Sequence, residues 1–127
     1  MIPEAERSGQ LRPNATIIKS TSGNLGTALA MIAPAGGYRC VIVIDPRTSN
    51  QNITMIKAFG AEIDTVTDMN PRDGTYQEAR IKRVKFLAGS ISNAYKLWQY
   101  GNKNNPLAHV NTTAQEILDD FPNGRMR

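Results

Sequence analysis

One cysteine, one histidine and one tryptophan among 127 residues leave little room for several kinds of chemistry. A lone Cys40 excludes an intrachain disulfide. Its place in the apolar run Cys40-Val41-Ile42-Val43-Ile44 predicts a buried, inert thiol, with no electropositive partner evident to activate it. A lone His109 argues against a histidine-based metal centre, and no metal site is expected. Aromatic residues are 6% of the chain against 40% hydrophobic in all, so the core must be small and aliphatic. That composition suits parallel strands beneath helices better than an aromatic-rich β-sandwich. No apolar run approaches the length of a membrane span. The polar, charged opening residues do not resemble a secretory leader, and the expected compartment is a reducing cytoplasm. Fifteen Lys and Arg against eleven Asp and Glu give a formal charge of +4, a modest excess that serves solubility. No basic stripe alternates with aromatics, so neither nucleic acid nor membrane is an expected partner.

What the chain does have is an alternation of two patterns. Ala15 to Lys19, Arg39 to Asp45, Ala61 to Val66 and Tyr95 to Trp98 read as strands, the second with a continuous apolar run and hence covered on both faces. A short helix precedes Gly9. A second runs from about Asn24 to Ala33, stopped by Pro34 and Gly36-Gly37, with Leu25, Ala28, Leu29 and Ile32 facing inward. A third runs from Ser49, its N-cap, to Phe59 before Gly60, and a fourth from Thr75 to Ala88 with Ile81, Val84 and Leu87 inward. Gly101 to Pro106 reads as a loop and Thr112 to Asp120 as a last helix. Strand–helix alternation of this kind makes residues 1–127 one α/β domain, a three-layer sandwich with a parallel sheet of about four strands.

Between the first strand and the second helix lies Ser20-Thr21-Ser22-Gly23-Asn24-Leu25-Gly26. A strand that ends in small hydroxyl and glycine residues and turns into a helix makes an anion cradle: backbone N–H groups point outward where the helix dipole favours negative charge. Thr21, Ser22 and Asn24 add short donors, so the expected ligand is a carboxylate or a phosphate. A dinucleotide fingerprint fits poorly, since Thr21 stands where its first glycine belongs and Pro46 suggests a turn role for Asp45 as readily as a ligand role. No Gly-Lys-Ser/Thr follows, which excludes a P-loop. Ser22 has no base spaced to activate it as a nucleophile. Arg80, Lys82, Arg83 and Lys85 read as the wet side of an amphipathic helix.

Thr21-Ser22-Gly23-Asn24-Leu25-Gly26 followed by Ala28-Leu29-Ala30, then Gly60-Ala61, and then Gln99-Tyr100, Asn102, Asn105-Pro106, His109, Thr112-Thr113 and Glu116-Ile117 occur in that order. In this the chain resembles the pyridoxal-phosphate-dependent enzymes of fold type II, the cysteine synthase and cystathionine β-synthase group, over nearly its whole length. The resemblance implies that Thr21, Ser22, Gly23 and Asn24 grip the α-carboxylate of an amino-acid substrate. It implies that Asn24 also bonds the cofactor's ring oxygen and that Gln99 contacts the same carboxylate. Leu25, with Ala28 to Ala33 and Val43-Ile44-Asp45-Pro46, is similar to a branch that makes siderophore or antibiotic precursors by joining the dehydroalanine unit of an activated serine to an amine; sulfide addition is the second choice.

The family's Schiff-base lysine matches none of Lys19, Lys57, Lys82, Lys85, Lys96 and Lys103; Lys19, nearest the loop, reads as a surface or edge-strand residue, a replacement Schiff base being the minor alternative. The resemblance therefore implies a fragment of a larger two-domain enzyme, with the covalent anchor and the cofactor-phosphate loop on other polypeptide. Pyridoxal 5'-phosphate is then the cofactor of the parent enzyme, not covalently held here, and no residue of the chain is expected to be catalytic. A naturally truncated binding or regulatory module that pairs with a full-length enzyme is the alternative. Apolar surface left uncovered is expected to favour self-association.

Overall fold

The computed structural model describes residues 1–122 and 124. Its elements run α1 (Ile2–Arg7), β1 (Thr16–Ser20), α2 (Asn24–Ala35), β2 (Arg39–Ile44), α3 (Asn50–Ala58), β3 (Glu62–Thr65), α4 (Gln77–Ser90), β4 (Ala94–Lys96), α5 (Asn104–Asn111) and α6 (Thr113–Asp120). The four strands form one sheet in the order β3-β2-β1-β4, and every pairing is parallel. Parallel neighbours need a crossover long enough to return the chain to the same end, and α2, α3 and α4 supply it. The α/β fold with a parallel sheet flanked by helices is thus as the sequence predicts.

Alternation along the central strands divides the core. Ile17, Ile42 and Ile44 pack with Leu29, Ala30 and Ala33 of α2, Ile56 of α3 and Ala5 of α1. Ile18, Val41 and Val43 point the other way and meet Val84 of α4. Ile17, Ile18, Ile42 and Val43 are wholly buried, and each contributes roughly 1.5–3 kcal/mol through its removal from water. Cys40 lies among them, and burial pushes its thiol up to about 12.

Ser49 Oγ accepts the Asn52 N–H at 3.3 Å and caps α3, and Gly60, at φ +84°, carries the chain out of that helix. Asn14 and Asn93 also have positive φ, at 59° and 57°. They sit side by side at the entry to β1 and β4: Asn93 Nδ2 donates to the Pro13 carbonyl, and Asn93 O accepts from Thr16 N–H.

Four expectations need correction. Pro34 does not stop α2 but lies in its last turn, and the helix ends at Ala35. The buried face of α2 is Gly26, Leu29, Ala30 and Ala33, whereas Ile32 is exposed; Gly26 lets the helix lie closer to the sheet on that side. Ile81 of α4 is also exposed, at 37%. The segment read as a loop up to Pro106 becomes helical at Asn104.

Candidate functional site

The loop leaves the sheet at the carboxyl end of β1. Thr21 N–H donates to Val43 O at 3.1 Å, which extends the ladder by one residue, and Thr21 Oγ1 then accepts Gly23 N–H at 3.3 Å and turns the chain. Gly26 N–H closes onto Gly23 O at 3.0 Å and starts α2. From α3, Asn52 Nδ2 donates to Ser22 O at 3.1 Å, so a second helix holds the loop in place. These bonds occupy the loop's acceptors. The amides of Ser22, Asn24 and Leu25 find no protein acceptor among the described residues, and Thr21 keeps its hydroxyl proton to donate. Ser22 and Asn24 are exposed and Thr21 and Gly23 half-buried. Nothing lies within 4 Å of where a Gly23 Cβ would stand, so the mouth of the cradle is open. No acidic residue occupies the first turn of α2. A free row of donors at the positive end of a twelve-residue helix can hold one carboxylate or phosphate.

Glycine is needed inside rather than at the mouth. A Cβ on Gly26 would meet Thr21 Cγ2 at 3.0 Å and the Ile42 and Ile56 side chains at 3.3 Å. This close approach seats the start of α2 against the sheet, and Thr21 with it.

Gln99 follows β4. In the pairing of β1 with β4, Ile18 lies opposite Lys96, and Leu97 N–H donates to Ile18 O. Thr21 and Gln99 each lie three residues beyond that matched pair, at the same end of adjacent strands. Gln99 is half-buried and makes no hydrogen bond to the loop among the described residues.

Two cations differ from their sequence reading. Lys19 is neither on the surface nor at an edge: β1 is an inner strand and Lys19 is only 6% exposed. Burial, with the charge of Arg80 beside it, holds its amine below the ordinary lysine range. Arg80 is not on the wet side of α4. Its Nη1 lies 3.1 Å from Asp45 Oδ2, with the two side chains 18% and 6% exposed, while Asp45 Oδ1 accepts Arg47 N–H at 2.9 Å. Asp45 therefore has the turn role that Pro46 suggested. Arg80 stands four residues before Val84 and seven before Leu87, on the inward stripe, and that spacing was the available signal. His109 lies exposed on α5, with Nδ1 3.3 Å from Thr113 Oγ1.

The sequence matches the family model described as "Pyridoxal-phosphate dependent enzyme" over residues 1–126. Cystathionine beta-synthase of Oryctolagus cuniculus is 46% identical over 118 residues, 93% of this chain and 21% of that protein. A probable cysteine synthase of Bacillus subtilis is 42% identical over 117 residues, 92% of this chain and 36% of its own. Among solved structures, an O-ureido-L-serine-bound mutant of O-ureido-L-serine synthase superposes with a TM-score of 0.86 at 35% identity, covering 98% of this chain and 37% of that one. The chain thus spans between about a fifth and two fifths of the length of such relatives. With the parallel sheet, the loop opening α2 and this match along almost every residue in agreement, the chain belongs to the pyridoxal-phosphate dependent enzyme family.

Proposed function

We propose that the Thr21–Gly26 loop is the amino-acid carboxylate clamp of a pyridoxal-phosphate-dependent β-replacement synthase. The observation that carries this reading is the row of unpaired amides at Ser22, Asn24 and Leu25, fixed from behind by Asn52. Thr21, Ser22, Gly23 and Asn24 hold the α-carboxylate of the substrate, with Gln99 closing on it from the adjacent strand. Holding that group fixes the orientation of the Cα–H bond and the β-substituent, which is where positioning lowers the barrier. The loop also fits the cofactor: the exposed Asn24 amide makes no hydrogen bond within the described residues, and the space before Gly23 is open. Asn24 is the residue that would donate to the ring oxygen. Pyridoxal phosphate, when bound, supplies the electron sink for the carbanion chemistry. Burial of the clamp as the site closes would exclude water from the reacting carbon.

The substrate class we propose is O-phosphoserine or O-acetylserine, with an amine as nucleophile in the manner of siderophore-precursor synthases; Leu25 and Val43-Ile44-Asp45-Pro46 support the amine over sulfide. None of the lysines matches the family's Schiff-base lysine, so we propose that these 127 residues do not turn substrate over by themselves. The second reading is a non-catalytic module that pairs with a full-length enzyme, favoured by the exposed Leu107, Val110, Ile117 and Leu118.

Calorimetry tests the clamp. O-phosphoserine and O-acetylserine are expected to bind at millimolar concentration and their carboxamide analogues not at all. Asn24→Ala removes one charge-assisted hydrogen bond, worth about 1.5–3 kcal/mol, and is expected to weaken binding roughly tenfold or more. Equal binding of acid and amide, or no heat at millimolar ligand, would overturn the assignment.

A further inference from the structure

We propose that Lys19 is an imine-forming lysine, whose ε-amine condenses with a small anionic aldehyde admitted to the cavity at the carboxyl ends of β1 and β4. The cavity has a volume of about 640 Å³. Lys19, Arg80, Lys85, Lys96, Trp98 and Tyr100 line it, and it borders Ser20, the residue before the carboxylate loop. Trp98 and Tyr100 are 49% and 79% exposed, so its rim is open to solvent.

Three observations converge on Lys19. It is 6% exposed, yet its Nζ makes no hydrogen bond or ion pair among the described residues. Its neighbour is the Tyr100 ring, with the centroid 5.6 Å from Nζ. No carboxylate lines the cavity, and the one buried carboxylate among the described residues, Asp45, is taken by Arg80 and by the Arg47 amide. Nζ is not among the nitrogens wholly shut off from solvent, so it reaches the cavity; with no carboxylate beside it the charged form lacks a counter-ion, and the neutral amine with its free lone pair is the nucleophilic form. Burial and the Arg80 charge lower the amine's pKa in the same direction.

The surroundings define the ligand class. The charged and titratable groups that face Lys19 are Arg80 and Lys85 from α4 and Lys96 and Tyr100 from β4 and the turn after it; three are cations. Arg80 lines the cavity with only its Nη1 paired, to Asp45, and its Nε without a partner, so its guanidinium adds positive charge with donor capacity to spare. Trp98 and Tyr100, packed edge to face at 5.8 Å, give a wall for a planar group. The amine lone pair attacks the carbonyl carbon to give a carbinolamine. One amine proton passes to the carbonyl oxygen to make the carbinolamine hydroxyl, and loss of that hydroxyl with the remaining amine proton as one water leaves a C=N bond, with no oxidant or reductant required.

The test uses the whole 127-residue protein and pyridoxal 5'-phosphate at less than one equivalent, serving as a phosphorylated aromatic aldehyde. Borohydride traps the imine, and peptide mapping locates it. Lys19 is expected to carry most of the label, although Lys57, Lys82 and Lys103 are exposed. The emission of Trp98, the sole tryptophan, is expected to fall in parallel. Pyridoxal, which lacks the phosphate, is expected to label Lys19 at least tenfold less, and excess inorganic phosphate to suppress the labelling. Lys19→Arg is expected to remove both the label and the quenching with its circular dichroism unchanged. Label spread over the exposed lysines overturns the proposal, as does equal labelling by pyridoxal. Mapping of the unmodified sequence decides the question even if the variant misfolds, and carboxylate calorimetry at the Thr21 loop reports separately on the β-replacement reading.

Discussion

Gly26 is held on three sides by Thr21, Ile42 and Ile56. Alanine there has the better helix propensity, by about 0.8–1 kcal/mol, but Ile42 and Ile56 are 0% and 1% exposed and have nowhere to move. Overpacking of this kind costs about 1–3 kcal/mol, so the crowding wins. Gly26→Ala is expected to lower stability by about 1 kcal/mol in a denaturant titration and to weaken carboxylate binding several-fold by displacing Thr21. An unchanged midpoint would mean that the helix start is softer than its packing indicates. The turn itself was legible: small hydroxyl and glycine residues from Thr21 to Asn24 mark where β1 gives way to α2. Lys19 and Arg80 were not, because a charged residue is read as solvated by default, and burial among cations depends on a cavity that only the assembled sheet creates.

At the scale of an element, α2 keeps a proline in its last turn. Pro34 cannot donate to the Ala30 carbonyl, and its ring crowds the preceding turn. Its side is exposed, so replacement changes little else. Pro34→Ala is expected to raise stability by about 1–2 kcal/mol, less than the roughly 3 kcal/mol of a mid-helix site, because the unfolded chain also gains freedom. A thermal melt that falls would show that the proline assists the turn into Gly36 and Gly37. The start of α5 was hidden for the converse reason. Pro106 reads as a breaker, yet it lies within the first turn, where its missing N–H has no intrahelical partner to lose. Asn102 Oδ1 accepts Asn104 N–H at 3.0 Å and begins that helix. By contrast, Ser49 and Gly60 marked the ends of α3 directly, since each acts through its own local chemistry.

For the molecule as a whole, apolar surface is unevenly covered. No residue of α5 or α6 is buried, and Leu107, Val110, Ile117, Leu118 and Phe121 are each at least 41% exposed. Such a patch favours association. Sedimentation is expected to show concentration-dependent oligomers, and Val110→Lys with Ile117→Lys is expected to shift them towards monomer; a strict monomer at all concentrations would exclude this. No helix among the described residues is long and apolar enough to cross a membrane. The strand–helix alternation was legible in periodicity, but the order β3-β2-β1-β4 was not, because parallel strands of similar composition carry no label for their neighbours.

That order sets β4, three residues long, at the rim beside β1. Its attachment is the slenderest seam of the sheet, and it runs between the two stretches that end in Thr21 and Gln99. A molecule gripped from both sides would act as a removable staple across that seam. Its binding free energy would add to the cohesion of the whole fold, so the resistance of this domain to unfolding becomes a gauge of what it holds.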